Sequence, residues 1–171
     1  MSFTPEVIVA GAGPAGAVAA RTLATADIDT LLVDRRSFPR NKPCGGGITT
    51  RALTRFPWLP DAIRPIDRHY VSTLRLEGPD EAGIEITSPR PCVLLIRRVE
   101  FDKVLVDQAI AAGARFESGI EITQAAEDAE GVTLRTRDGR QLRAPMVVAA
   151  DGVHSVIARR LGLNPRWARS R

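Results

Sequence analysis

Residues 11–16 read Gly-Ala-Gly-Pro-Ala-Gly, and their flanks leave few folds open. Glu6-Val-Ile-Val-Ala10 precedes them as a short apolar strand, and AVAARTLATA follows as a helix whose small residues face that strand. Thr30-Leu-Leu-Val-Asp34 is a second apolar strand, tipped by an acid. Strand, glycine turn, helix and strand in this order begin a parallel α/β sheet. Gly11 permits the tight turn out of the first strand, Gly13 admits a pyrophosphate close to the backbone, and Gly16 lets the helix pack on the strand. Pro14 and Ala15 complete the turn. The helix N-terminus offers free N–H groups and a positive dipole to phosphate. Asp34 lies eighteen residues past Gly16, where its carboxylate accepts hydrogen bonds from both ribose hydroxyls. It repels a 2′-phosphate, which disfavours NADP in this site and leaves NAD and FAD open. Arg35, the next residue, is a candidate adenine contact.

A second glycine cluster, Lys-Pro-Cys-Gly-Gly-Gly, occupies residues 42–47. Three adjacent glycines suit neither helix nor strand. Cys44 stands beside Lys42 and before three backbone N–H donors, a setting that lowers a thiol pKa. The alternative for a lone cysteine is a small buried hydrophobe. Cys92 opens an apolar strand and is read as core.

The pattern then changes. Residues 71–78 and 83–87 alternate apolar and polar, as half-buried antiparallel strands do. Residues 92–96 form a buried strand. Val99 to Gly113 reads as a helix with a glycine at its end. Residues 114–122 hold a strand pair or one bent strand, and Asp138-Gly139 marks a hairpin turn. Met146-Val-Val-Ala-Ala150 returns to the central sheet. The fold class is therefore α/β, a parallel sheet with inserted antiparallel strands, counted as one domain over residues 1–171.

Composition excludes several classes. Apolar residues are 44% and charged residues 26%, an ordinary globular balance. No apolar run reaches the length of a membrane span, and no signal peptide is read. Two cysteines do not make a secreted disulfide framework, so a cytoplasmic protein is expected. Two histidines and two cysteines, widely separated, give no metal site. The net charge of +4 is dispersed, apart from a patch at Arg159, Arg160, Arg166, Arg169 and Arg171. Without interleaved aromatics this is a solvated tail, not a nucleic-acid surface.

Two further motifs complete a set. Arg98-Val-Glu-Phe-Asp102 opens the long helix, and Ala150-Asp-Gly-Val-His-Ser155, with Arg159 beyond, follows the last apolar strand. With GAGPAG and Asp34, these resemble the flavoprotein monooxygenase superfamily of p-hydroxybenzoate hydroxylase-like fold. The segment KPCGGGI is similar to the geranylgeranyl reductase family within it. The resemblance covers Val7 to Leu163. It implies a Rossmann-like FAD-binding fold and FAD as cofactor. Gly11, Gly13, Pro14, Ala15, Gly16, Asp34 and Arg35 would hold the ADP half. Arg98 would reach the pyrophosphate or ribityl region, and Asp151 and Gly152 would approach the pyrophosphate. Cys44, Gly45, Gly46 and Gly47 would lie against the flavin end, with Cys44 the candidate catalytic residue. His154 falls at a position the family leaves free and is read as surface.

The resemblance also implies an activity. Reduced flavin gives hydride to an isolated C=C of a prenyl chain, with NAD(P)H or a separate electron donor as the reductant. The substrate is then a small molecule or prenyl lipid, with peripheral membrane contact. An aromatic or polyketide hydroxylase and a non-catalytic FAD-binding module are the other readings. Family members are longer and carry a later Gly-Asp flavin segment and a substrate domain. Neither follows Leu163, so the chain is read as the N-terminal portion.

Overall fold

The computed structural model describes residues 4–80 and 82–163. In chain order the elements are β1 (Val7–Ala10), α1 (Pro14–Thr25), β2 (Thr30–Asp34), β3 (Gly47–Thr49), α2 (Arg51–Arg55), α3 (Leu59–Ala62), β4 (Arg68–Val71), β5 (Thr73–Glu77) and β6 (Gly83–Thr87). There follow β7 (Val93–Ile96), α4 (Arg98–Ala111), β8 (Arg115–Ser118), β9 (Ile122–Asp128), β10 (Gly131–Thr136), β11 (Gln141–Ala144), β12 (Met146–Ala149) and α5 (Val156–Arg160). They divide into two compact units, one built from the residues up to Arg40 and from Leu105 onward, the other from Asn41 to Val104.

The first unit is organised by a parallel sheet in the order β12-β1-β2-β8. Every residue of β1 and β2 is buried, which is why both strands read as unbroken apolar runs rather than alternating ones. Strand periodicity still sorts their side chains. Ile8, Ala10, Leu31 and Val33 join one core with Ile120 of the β8–β9 connection, with Val132, Leu134 and Ala144 of the antiparallel sheet β9-β10-β11, and with Ile157 of α5. Val9 and Leu32 belong to the opposite face and are fully buried there. Helix α1 buries Gly16, Ala17, Ala20 and Ala24, a stripe with almost no side-chain bulk. Residues 114–122, read as a strand pair or one bent strand, hold β8 and the first residue of β9, two strands in different sheets: β8 extends the parallel sheet beside β2, and β9 starts the antiparallel one. The Asp138-Gly139 turn joins β10 to β11, with Gly139 at φ +88°.

The second unit holds an antiparallel sheet, β3-β7-β4, with Leu94 and Ile96 of β7 buried and Leu59 and Ile63 buried near α3. The alternation in residues 73–87 does produce a hairpin, β5 paired with β6. Its apolar face is not half-buried as expected. Leu74 lies opposite Ile86 and Leu76 opposite Ile84, and these four side chains are 40–66% exposed. Helix α4 begins in this unit, where it buries Phe101 and Asp102, and continues into the first, where it buries Leu105, Val106 and Ala109 and turns Ile110 outward. Arg166, Arg169 and Arg171 of the basic patch lie outside the described residues.

Candidate functional site

In the first unit, three strand ends and one helix start converge. The Gly11 N–H donates to the Val33 carbonyl at 2.8 Å and the Ala150 N–H to the Ala10 carbonyl at 2.8 Å, so the tips of β1, β2 and β12 are tied together. Gly11 has φ +102°, and a Cβ there would lie 2.3 Å from the Ala150 carbonyl oxygen. A Cβ on Gly16 would lie 1.8 Å from the Gly11 carbonyl oxygen. Both glycines are therefore demanded by the protein's own packing. Gly13 is different. Its backbone is extended at φ −69°, ψ −179°, and an added Cβ would meet only the Arg40 guanidinium, 3.7 Å away. Nothing in the fold requires glycine at this position. Gly13 is also the N-cap of α1, with no side chain capping the helix and Pro14 opening it. The N–H groups of Ala15 and Gly16 thus lack intrahelical acceptors.

Asp34 is buried at the tip of β2. Its Oδ2 accepts the Ala12 N–H at 2.8 Å and its Oδ1 accepts the Arg36 N–H at 2.8 Å. The acid is first a clamp on the glycine turn, and each oxygen keeps a second lone pair. Arg35 is exposed. Across the sheet, Asp151 Oδ2 accepts the Val156 N–H at 2.7 Å, and Ser155 Oγ accepts the Ala158 N–H at 2.9 Å, so both residues cap α5. Asp151 Oδ1 is buried and has no hydrogen-bond partner. A buried acceptor in that state costs about 1–3 kcal/mol, which a donor placed there would recover. Gly152 is exposed at φ +91°, and His154 is exposed.

In the second unit, Cys44, Gly46, Arg98 and Asp102 form another cluster. Gly47 opens β3 opposite Leu95, so part of the glycine cluster does serve a strand. Gly46, at φ +72°, would place a Cβ 2.1 Å from the Ile96 carbonyl oxygen, and its own carbonyl accepts the Ile96 N–H at 3.1 Å. Its glycine requirement is met inside the unit. Gly45 would carry a Cβ into open space. Cys44 is exposed, and its thiol is held below the ordinary range, first by the Gly46 N–H and then by Arg98, with Lys42 adding a smaller contribution. The Arg98 guanidinium binds both Asp102 oxygens, at 2.6 and 2.9 Å, and Asp102 raises the Arg98 pKa further. Asp102 is fully buried, so this is a desolvated, bidentate pair. Sequence reading named Arg98 and passed over Asp102. The signal was present, since an acid four residues after an arginine on a helix lies on the same face. Cys92 is half-buried, its Sγ 3.6 Å from the Val71 carbonyl.

The model of the FAD binding domain family matches residues 4–170. The chain belongs to this family. It is 37% identical over 169 residues to digeranylgeranylglycerophospholipid reductase 1 of Methanopyrus kandleri, covering 94% of this chain and 43% of the relative. It is 34% identical over 176 residues to the menaquinone reductase of Mycobacterium tuberculosis, covering 96% and 41%. Among solved structures it resembles a geranylgeranyl bacteriochlorophyll reductase-like protein of Thermoplasma acidophilum, with a TM-score of 0.80, 29% identity and coverage of 93% and 42%. The chain thus spans less than half the length of these relatives. The mixed α/β architecture, a parallel sheet with antiparallel strands, is similar to that of this reductase-like structure. Among the described residues no helix is long and apolar enough to cross a membrane.

Proposed function

We propose that this chain is the FAD-binding portion of an oxidoreductase that reduces C=C bonds of a prenyl substrate. The carrying observation is the bare start of α1: Gly13 has no packing reason to be glycine, and the helix behind it has no side-chain cap. A pyrophosphate supplies both missing partners, filling the space a Cβ would take and accepting the free N–H groups. The unpartnered Asp151 Oδ1 fits another part of the same cofactor, as an acceptor for a ribose or ribityl hydroxyl. Gly11, Gly13, Pro14, Ala15 and Gly16 would bind the pyrophosphate. Asp34 would offer its spare lone pairs to the ribose, with Arg35 beside the adenine. Asp151 and Gly152 would complete the set.

Bound FAD, once reduced, supplies a hydride to one alkene carbon while a proton is added to the other. The protein's part is position and charge. Arg98, fixed by Asp102, would present positive charge to the cofactor. Of the glycine cluster, Gly45, whose added Cβ would meet open space, would come against the flavin, with Gly46 and Gly47 fixing the loop through their own pairing to β7. Cys44 is proposed as the catalytic thiol, its Sγ biased toward the thiolate by the Gly46 N–H and Arg98. The names of two relatives, one acting on a digeranylgeranyl phospholipid and one on menaquinone, support a prenyl-bearing substrate. NAD(P)H or a separate donor would reduce the flavin, in the cytoplasm and at a peripheral membrane contact.

The test is spectroscopic. The purified chain is loaded with FAD, photoreduced without oxygen and mixed with a geranylgeranyl lipid. Reoxidation with saturation of the alkene supports the reading. Reoxidation by oxygen and an aromatic substrate, with hydroxylation, would replace it with the monooxygenase reading. Bound flavin that neither substrate reoxidises would leave a non-catalytic module.

A further inference from the structure

Helix α2 carries an arrangement that the FAD reading does not use. Arg51 and Arg55 stand one turn apart on one face, both exposed. Elsewhere in this unit Arg64, Arg75, Arg97 and Arg98 each pair with a carboxylate. Among the described residues Arg51 and Arg55 have no such pair (nor does Arg68, which donates to backbone carbonyls instead, nor Arg90), and α2, with the sequence Arg-Ala-Leu-Thr-Arg, contains no acid. Two like charges at this spacing destabilise a helix, so the pair needs a reason. With Thr49, Ala52, Thr54 and Phe56 they line an open cleft of about 630 Å³. Its lining combines two arginines and two threonines with the apolar Ala52 and Phe56. The Trp58 ring lies 6.0 Å from that of Phe56, next to the cleft in sequence.

Guanidinium forks match phosphate oxygens geometrically, hydroxyls add donors, and an apolar wall accepts hydrocarbon. We propose that Arg51 and Arg55 form a binding site for the phosphate end of a small molecule with an apolar or aromatic body. Two sources carry this chemistry: the phosphate headgroup of a prenyl lipid, and the phosphates of a nicotinamide dinucleotide. Naming the lipid rests on the prenyl-reductase reading. In that case the site favours phosphate-bearing prenyl substrates over a phosphate-free quinone.

The experiment is calorimetric titration of the 171-residue chain, saturated with FAD so that the glycine turn is occupied, with inorganic pyrophosphate at low ionic strength. The double variant Arg51→Ala/Arg55→Ala is expected to bind about tenfold more weakly or worse, as loss of two charge-assisted contacts implies. Arg51→Lys/Arg55→Lys should retain part of the affinity. Arg64→Ala, which removes the same charge from an arginine that already has a carboxylate, should change nothing. Circular dichroism melts check that all variants fold. No binding by the parent chain, or equal weakening by Arg64→Ala, overturns the proposal. Displacement of pyrophosphate by geranylgeranyl diphosphate but not by NADPH assigns the lipid headgroup. Displacement by NADPH alone upholds the phosphate site and removes the lipid assignment. None of these arms uses turnover, so failure here is distinct from failure of the reductase reading.

Discussion

The buried carboxylate of Asp34 accepts the Ala12 N–H at 2.8 Å, so the acid at the tip of β2 holds the glycine turn at the tip of β1. Its other oxygen holds the Arg36 N–H at the same distance. Asp34 therefore acts before any nucleotide arrives. Asp34→Ala leaves two backbone donors without their acceptor and is expected to destabilise the FAD-free chain by about 1–3 kcal/mol. Chemical denaturation without added FAD measures this. An apo stability equal to that of the parent chain, with only FAD affinity reduced, would show that the carboxylate serves the ribose alone.

Gly13 and Gly16 separate ligand from packing. Gly16→Ala drives a Cβ to within 1.8 Å of the Gly11 carbonyl oxygen, and backbone must move. Overpacking of this kind costs about 1–3 kcal/mol or more, and the melting temperature falls with or without FAD. Gly13→Ala places its Cβ 3.7 Å from the Arg40 guanidinium, an ordinary contact. The melting temperature of apo Gly13→Ala should match that of the parent, while FAD, followed by fluorescence quenching, binds at least about tenfold more weakly because the methyl occupies the phosphate's space. Unchanged FAD affinity in this variant would remove the observation on which the proposed function stands.

How far the sequence revealed this arrangement depends on the distance over which each signal acts. The crossover from Val7 to Asp34 was legible because its strand, turn, helix and strand are contiguous, and each imposes its own period. The clamp role of Asp34 was not, because it is a hydrogen bond between residues 22 apart. Gly46 looked like a ligand contact. Its Cβ would strike the Ile96 carbonyl, about fifty residues away in sequence, so Gly46→Val disrupts the β3-β7 pairing and cannot report on flavin. Asp151 was read as a cofactor acid at a strand end. Its second role, capping α5 through the Val156 N–H, appears only once the helix start is fixed. The β5-β6 alternation gave the hairpin correctly but could not say whether anything covers it.

That hairpin gives its own prediction. Leu76 and Ile84 face each other across β5 and β6 at 63% and 66% exposure. Replacing both with threonine keeps strand propensity and removes an exposed apolar patch. Each substitution should change stability by no more than about 0.5 kcal/mol, as expected at positions with little burial. Light scattering at high concentration should fall. A large loss of stability would show that these side chains are covered in solution.

The last prediction concerns Cys44 and pH. Its thiol is held below the ordinary range, first by the Gly46 N–H, then by Arg98. The folded state thus favours the thiolate. Its contribution is present above the unfolded thiol pKa and is lost as pH falls through the depressed folded value. In a Cys92→Ser background, the pH midpoint of iodoacetamide alkylation should lie below that of the same chain in denaturant. Arg98→Ala alone would take the bidentate guanidinium away from the buried Asp102, at about 3–5 kcal/mol. The better variant is Arg98→Met with Asp102→Leu, which removes the pair together. It should shift the midpoint upward but only part of the way, since the larger cause, the Gly46 N–H, remains. A midpoint in the parent equal to that in denaturant, or a full return to it in the double variant, would contradict the arrangement of Gly46, Cys44 and Arg98 described above.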